Sequence, residues 1–194
     1  MANTLGGWKS EGEHPHRVPD DLYPTPPPAT QALLRNVRFD GAIWECAAGH
    51  GHISKELEGA GYTVVSTDLR AVEYGYGEVQ DFLVVTRTLA PNIVTNPPYK
   101  LLKDFLRKAF ELPGIDTVTL LIPLPTIPQV YMHKFFEEFG APSLIIALTP
   151  TLKIYMGEER GVQQSIFTHC WVHWDLREGK RTSSTFKLER WKTP

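Results

Sequence analysis

The sequence has few cysteines and no long apolar run. Only two cysteines, Cys46 and Cys170, occur among 194 residues, too few for the disulfide framework of a small secreted protein. No apolar stretch approaches the roughly 20 residues that a membrane helix requires, and the N-terminus lacks the apolar core of a secretory signal. These absences predict a cytoplasmic protein with reduced, buried thiols and no membrane partner.

The chain also lacks a large excess of either acidic or basic residues, and its net charge is −2 at pH 7. Nucleic-acid binders often carry a strong basic excess, so any nucleic-acid contact here depends on a local basic cluster. One candidate cluster contains Lys100, Lys103, Arg107 and Lys108, and the other covers residues 177–192. A solvated face or tail is the alternative interpretation of each cluster.

The histidines do not form a metal-binding motif. They include the pairs His14/His16 and His50/His52 and the group at 169–173. None of these has the spacing of a zinc site. We therefore predict no metal site.

The chain divides into three parts by composition. Residues 1–22 are rich in Gly, His, Pro and charged residues, a composition that predicts a flexible N-terminal arm. The composition of residues 177–194 predicts a basic C-terminal tail. Between them, strands are predicted at 42–46, 62–67, 92–95, 117–122, 143–148 and 165–174, and helices at 29–37, 53–59, 101–112 and 130–139. This alternation of apolar strands and helices predicts an α/β fold with a mostly parallel sheet covered on both faces. The last two strands have no helix between them, which predicts an antiparallel pair.

Three polar or glycine-containing segments follow predicted strands, where open parallel sheets bind their ligands. They are 45–51 (ECAAGHG), Asp68 and 96–99 (NPPY). The first is not a G-x-G-x-x-G loop and no phosphate-loop lysine follows it, which argues against a dinucleotide or a nucleoside triphosphate. Its glycines let a ligand approach the backbone closely, and Asp68 is suited to ribose hydroxyls. Taken singly, a plain turn and a surface or N-cap aspartate are the alternatives.

The NPPY segment is the most informative motif. Two prolines after a strand fix the backbone rigidly. The Asn96 oxygen and the following carbonyl can accept both hydrogens of an exocyclic amine, and Tyr99 offers a face for stacking a planar ring. Two acceptors draw the lone pair of the amine out of conjugation, toward an electrophilic methyl group, without a strong general base. A proline turn that closes a strand is the alternative.

With these segments together, the chain from about Tyr23 to Trp174 resembles a class I S-adenosylmethionine-dependent amino-methyltransferase. It is similar to DNA adenine-N6 methyltransferases, particularly the phage type. The resemblance implies a methyltransferase domain over residues 23–176. Its Rossmann-like sheet would be mostly parallel and seven-stranded, with helices on both faces and an antiparallel last strand. S-adenosyl-L-methionine would be the cofactor.

The resemblance also implies roles for individual residues. The glycine loop would surround the methionine part of the cofactor, Asp68 would bind its ribose, and Asp81 with Phe82 would contact its adenine. The implied cofactor-binding residues are Tyr23, Thr25, Glu45, Gly49, Gly51, Asp68, Asp81 and Phe82. The implied catalytic residues, which hold the target base, are Asn96, Pro97, Pro98 and Tyr99. The loop is a partial match, because alanines at 47 and 48 replace the first glycine of some relatives.

The implied activity is methyl transfer to the exocyclic N6 amine of an adenine flipped out of DNA, either site-specific or non-specific. DNA is expected as the partner in preference to RNA. The chain has little room for a separate target-recognition domain, so loops would supply any sequence preference. The alternatives are an RNA base methyltransferase, a protein amide methyltransferase, and a binding protein that keeps the fold without turnover.

Overall fold

A computed structural model describes residues 24–70, 76–149 and 168–190. The helices are α1 (Pro27–Asn36), α2 (His52–Gly59), α3 (Leu102–Glu111) and α4 (Val130–Phe139). The strands are β1 (Ile43–Glu45), β2 (Val64–Asp68), β3 (Glu78–Val79), β4 (Asn92–Thr95), β5 (Thr117–Pro123), β6 (Leu144–Thr149), β7 (His169–Asp175) and β8 (Thr185–Arg190). The four predicted helices are confirmed to within two residues at each end. The predicted arm at 1–22 and Tyr23 lie outside the described residues.

The strands form one sheet in the order β3–β2–β1–β4–β5–β7–β6–β8. Strand β7 runs antiparallel between β5 and β6, and the other paired strands are parallel. The predicted mostly parallel α/β sheet is therefore confirmed, as is the antiparallel pairing of the last two predicted strands. The loop expected between those two strands falls at 150–167, outside the described residues.

The described residues form eight strands, one more than the seven that the resemblance implies. Two of them, β3 and β8, are not among the six strands predicted along the chain, and β8 pairs with β6. Strand β8 lies within the segment 177–194 that was expected as a basic tail, and it is parallel to β6. The antiparallel strand β7 is thus the second to last of the described strands. Strand β8 sits at the sheet edge with most of its residues exposed, so it lacks the apolar pattern that reveals a buried strand.

Apolar layers cover both faces of the sheet, as predicted. Leu106 of α3 and Met132 of α4 belong to one layer, and Leu33 of α1 belongs to the other. Ile93 and Val94, adjacent in β4, contribute to opposite layers because successive strand residues point to opposite faces.

Both thiols are buried and unpaired with each other, which confirms the expectation for Cys46 and Cys170. Burial raises the pKa of each thiol. Over residues 24–70, 76–149 and 168–190, no group of three His, Cys, Asp or Glu side chains is arranged to hold a metal ion. No helix in these same ranges has the length and apolarity needed to cross a bilayer.

Candidate active site

The carboxyl ends of β1, β2 and β4 open into a cavity of about 560 Å³. The parallel pairing of β1 with both β2 and β4 brings these three ends to the same edge of the sheet. Eight of the twelve predicted site residues line the cavity: Thr25, Glu45, Gly49, Asp68, Asp81, Phe82, Asn96 and Pro98. Gly51, Pro97 and Tyr99 are not among its lining residues, and Tyr23 lies outside the described residues.

The glycine loop turns sharply from β1 into α2. Gly49 has φ 51° and Gly51 has φ 72°, a region that favours glycine. The loop is tied to β2 by two hydrogen bonds, from Gly49 N to Asp68 Oδ2 at 2.8 Å and from Ala48 N to Thr67 O at 3.0 Å. Gly51 precedes the first residue of α2, and a Cβ at Gly51 would overlap the side chain of Tyr76. Gly49 lines the cavity, whereas Gly51 leads into α2 and lies against the Tyr76 side chain.

Glu45 is almost fully buried at the end of β1, with 1% of its surface exposed. Its Oε2 accepts a hydrogen bond from Ser54 N at 2.8 Å and contacts Ser54 Oγ, which lies 2.6 Å from Ser66 Oγ. Burial raises the pKa of Glu45 to about 8, against the opposing effect of the Ser54 hydrogen bonds, and nearby Asp68 raises it further. The carboxyl group is thus mainly protonated at pH 7, and it links β1, α2 and β2 behind the glycine loop.

Asp68 ends β2 and contributes an ionised carboxylate to the cavity. Burial opposes its ionisation, but hydrogen bonds from the Arg70 side chain and from the Gly49 backbone outweigh burial and lower its pKa. The sequence prediction missed Arg70, whose side chain pairs with Asp68 at 3.0 Å. Its position two residues after a strand-end aspartate was the available signal, because an Asp side chain commonly accepts from the backbone two residues on.

Asn96 lines the cavity and is hydrogen-bonded to Thr25, which precedes α1. Its Nδ2 donates a hydrogen bond of 3.2 Å to Oγ1 of Thr25, and only 4% of Thr25 is exposed. Pro97 is buried and Pro98 lines the cavity. Thr25, an implied cofactor-binding residue, and Asn96 of the NPPY segment are therefore brought together, although 71 residues separate them in the chain.

Tyr99 begins a 3-10 turn that leads into α3. Its ring centroid lies 6.0 Å from that of His169 on β7, with the ring planes inclined at 33°. This places the ring beside β7 and not among the residues that line the cavity. The stacking role expected for Tyr99 thus requires its side chain to turn toward the cavity.

Apolar side chains form part of the cavity wall. Phe82 is buried to 2% exposure and packs edge-on against Trp44, with ring centroids 5.2 Å apart. Leu69 lines the cavity although 64% of its surface is exposed. Asp81, beside Phe82, accepts a hydrogen bond of 2.9 Å from Leu83 N. Leu69 was missed because a single leucine after a strand carries no periodic signal.

The predicted basic cluster after NPPY is dispersed in the structure. Lys100 is exposed and lines the cavity, and Lys103 lies over the ring of Tyr131 at 4.6 Å. Arg107 is paired with Glu138 at 2.9 Å. Lys108 donates to a backbone carbonyl, Val85 O, at 2.9 Å. Of these four residues, Lys100 alone lines the cavity.

No protein-family model and no curated protein matches the chain by sequence. Solved structures match it by fold. The modification subunit of a putative type I restriction enzyme from Vibrio vulnificus YJ016 is 12% identical, with a TM-score of 0.58 over 87% of this chain and 47% of its own. This chain therefore spans about half the length of that protein.

Two further matches cover most of both chains. A predicted O-methyltransferase from Agrobacterium tumefaciens is 13% identical with a TM-score of 0.57, over 86% of each chain. A putative RNA methyltransferase from Pyrococcus horikoshii is 16% identical with a TM-score of 0.55, over 77% of this chain and 80% of its own. The chain has a class I methyltransferase fold. These proteins are named for different acceptors, so the fold alone does not select an acceptor.

Proposed function

We propose that the chain is an S-adenosylmethionine-dependent methyltransferase that methylates the exocyclic N6 amine of an adenine flipped out of DNA. The observation that carries this proposal is that Asn96 of the NPPY segment lines the same cavity as Gly49 and Asp68. A motif suited to an aromatic amine and a loop suited to a nucleoside cofactor thus share one cavity. Neither segment alone would support this function.

The cavity residues fit the chemistry of the proposed cofactor. The ionised Asp68 carboxylate is an acceptor for the donor hydroxyls of a ribose. Leu69 and Phe82 provide apolar surface for an adenine ring, and Asp81 provides an acceptor for its amine. The backbone of Gly49, which has no side chain to obstruct approach, would face the methionine part. When bound, S-adenosylmethionine supplies an electrophilic methyl group on a sulfonium centre.

Asn96 would act on the acceptor base. Its side-chain oxygen would accept one hydrogen of the exocyclic amine. The carbonyl of Pro97, which does not line the cavity in this structure, would have to face the base to accept the other, and the two acceptors would direct the lone pair of the nitrogen away from the ring. Thr25 holds the amide nitrogen of Asn96, so the orientation of the amide is set before the base arrives. Preorganised acceptors of this kind lower the barrier because they need no rearrangement during the reaction.

DNA is the acceptor that the NPPY segment and its resemblance favour, and a flipped base gives the amine access to the cavity. Lys100 is exposed and lines the cavity, so it would supply a cation for a phosphate next to the flipped nucleotide. An RNA base, a protein amide and binding without turnover are the outcomes that a test must separate.

The test compares acceptors with labelled S-adenosylmethionine and mass analysis of the products. We expect N6-methyladenine from duplex or single-stranded DNA, and less product from RNA or protein of the same concentration. Asn96→Ala should reduce transfer by at least about 100-fold and leave the Kd of the cofactor nearly unchanged. Asn36→Ala, which removes an amide on α1 that bonds Glu189, is the matched control and should retain activity. Unchanged transfer by Asn96→Ala would refute the assigned chemistry.

A further inference from the structure

Asp68 has nearly all of its hydrogen-bond capacity in use. Its Oδ1 accepts from Arg70 N at 3.1 Å and from Arg70 Nε at 3.0 Å. Its Oδ2 accepts from Gly49 N at 2.8 Å and lies 3.5 Å from Arg70 Nη2. A carboxylate has about four acceptor positions, so the guanidinium of Arg70 covers one position on each oxygen.

The pairing of Arg70 with Asp68 arises from local sequence. The tripeptide Asp-Leu-Arg occurs twice in the chain, at 68–70 and at 175–177. In the second copy Arg177 makes the same three contacts with Asp175, from N at 3.1 Å, from Nε at 2.9 Å and from Nη2 at 2.7 Å. The pair at Asp175 lies at the opposite end of the sheet, because Asp175 is aligned with Thr117, the first residue of β5.

The two copies differ in what surrounds the carboxylate. Asp68 and Arg70 both line the cavity, whereas Asp175 and Arg177 do not. In the first copy Gly49 N binds Oδ2, and the contact of Nη2 with that oxygen is correspondingly longer. The side chain of Asp68 is 6% exposed and that of Arg70 is 28% exposed, so the guanidinium lies on the more accessible side of the pair.

A ribose has two adjacent hydroxyl donors, and Asp68 can accept both only if the two side-chain donors of Arg70 leave. The two backbone donors, Gly49 N and Arg70 N, belong to the loop and can remain. The exchange is one for one, since Nε leaves Oδ1 and Nη2 leaves Oδ2 as one hydroxyl arrives at each oxygen. We propose that the Arg70 guanidinium occupies the ribose-diol position on Asp68 and must be displaced when the cofactor binds. This inference rests on the proposed function, which assigns the cofactor ribose to Asp68.

Arg70 is therefore a residue that weakens cofactor affinity and reduces the gain in affinity that the ribose hydroxyls provide. Removing the guanidinium with Arg70→Met keeps the aliphatic stem and abolishes the competing donors. A partly exposed ion pair of this kind contributes up to about 1 kcal/mol, so the affinity should rise about two- to fivefold. A residue that merely stabilised the fold would not produce tighter binding when removed.

The experiment measures the Kd of S-adenosylhomocysteine by calorimetry, because this product lacks the sulfonium charge that Arg70 would repel. Adenosine and 2′,3′-dideoxyadenosine are then compared as probes with and without the two hydroxyls. We expect Arg70→Met to bind S-adenosylhomocysteine and adenosine about two- to fivefold more tightly than wild type, with no gain for the dideoxynucleoside. Arg177→Met, the matched control in the second Asp-Leu-Arg copy, should leave all three affinities unchanged.

The outcomes separate the inference from the proposed function. If the wild type does not bind S-adenosylhomocysteine, the proposed function is refuted and the inference with it. If the wild type binds and Arg70→Met binds equally or more weakly, Arg70 does not compete with the ribose and only the inference is overturned. An equal gain for the dideoxynucleoside would also overturn it, since the hydroxyls would then not be involved. Thermal unfolding of both variants checks that they remain folded.

Discussion

The protonated Glu45 carboxyl group predicts a specific dependence of stability on pH. The pKa of this buried group is raised from 4.5 to about 8 in the folded state. Above pH 4.5 the unfolded chain releases a proton that the folded chain still holds. The free energy of unfolding therefore falls as the pH rises, and the loss is complete only above pH 8, where both states are ionised.

The size of this effect follows from one proton held by the folded state alone. Each pH unit between the two pKa values costs about 1.4 kcal/mol. Through Glu45 the wild type should lose about 3–4 kcal/mol of stability between pH 5 and pH 8. Glu45→Gln cannot ionise, and its amide offers an acceptor to Ser54 N and a donor to Ser54 Oγ. Its stability should therefore fall by that much less over the same range.

Urea unfolding at pH 5, 6, 7 and 8, followed by tryptophan fluorescence, measures the difference. Trp44 and Trp171 are fully buried and report loss of the core. Other titrating groups are common to both proteins and cancel in the comparison. Glu111→Gln, at an exposed position of α3, is the control and should follow the wild type. Parallel curves for wild type and Glu45→Gln would show that Glu45 is ionised in the folded state.

Further predictions concern the glycine loop and the core. Gly51→Ala should destabilise the fold by at least about 2 kcal/mol, because positive φ adds strain and the new Cβ overlaps Tyr76. Gly61 has φ 91° and open space around it, so Gly61→Ala should lower the free energy of unfolding by only about 1–2 kcal/mol, the cost of backbone strain. Leu106→Ala, at 1% exposure, should cost about 2–5 kcal/mol, measured by urea unfolding. Leu188→Ala, at 69% exposure, should change stability by less than about 0.5 kcal/mol. Equal losses of stability for Gly51→Ala and Gly61→Ala, or for Leu106→Ala and Leu188→Ala, would contradict these predictions.

Much of the fold could be predicted because its strands and helices carry strong periodic patterns. Helix α4 begins and ends at the predicted residues, and β5 differs by one residue from the prediction. Strand β3 has two residues and β8 is an exposed edge strand. Neither has enough buried apolar residues to produce a pattern, so both escaped prediction.

The convergence of Glu45, Gly49, Asp68 and Asn96 on one cavity was determined by the sequence itself. Parallel strands bring their carboxyl ends to one edge, so residues at those ends meet whatever the details of packing. The hydrogen bond from Asn96 to Thr25 also joins two residues to which the resemblance had already assigned roles at the site.

Only the tertiary structure decided which neighbour each side chain faces. Tyr76 packs against Gly51, Tyr99 lies beside His169, and Arg107 forms an ion pair with Glu138. These partners come from segments far apart in the chain or from different elements. Periodicity and turn chemistry report local conformation and burial, whereas the choice of partner depends on how the finished layers pack against each other.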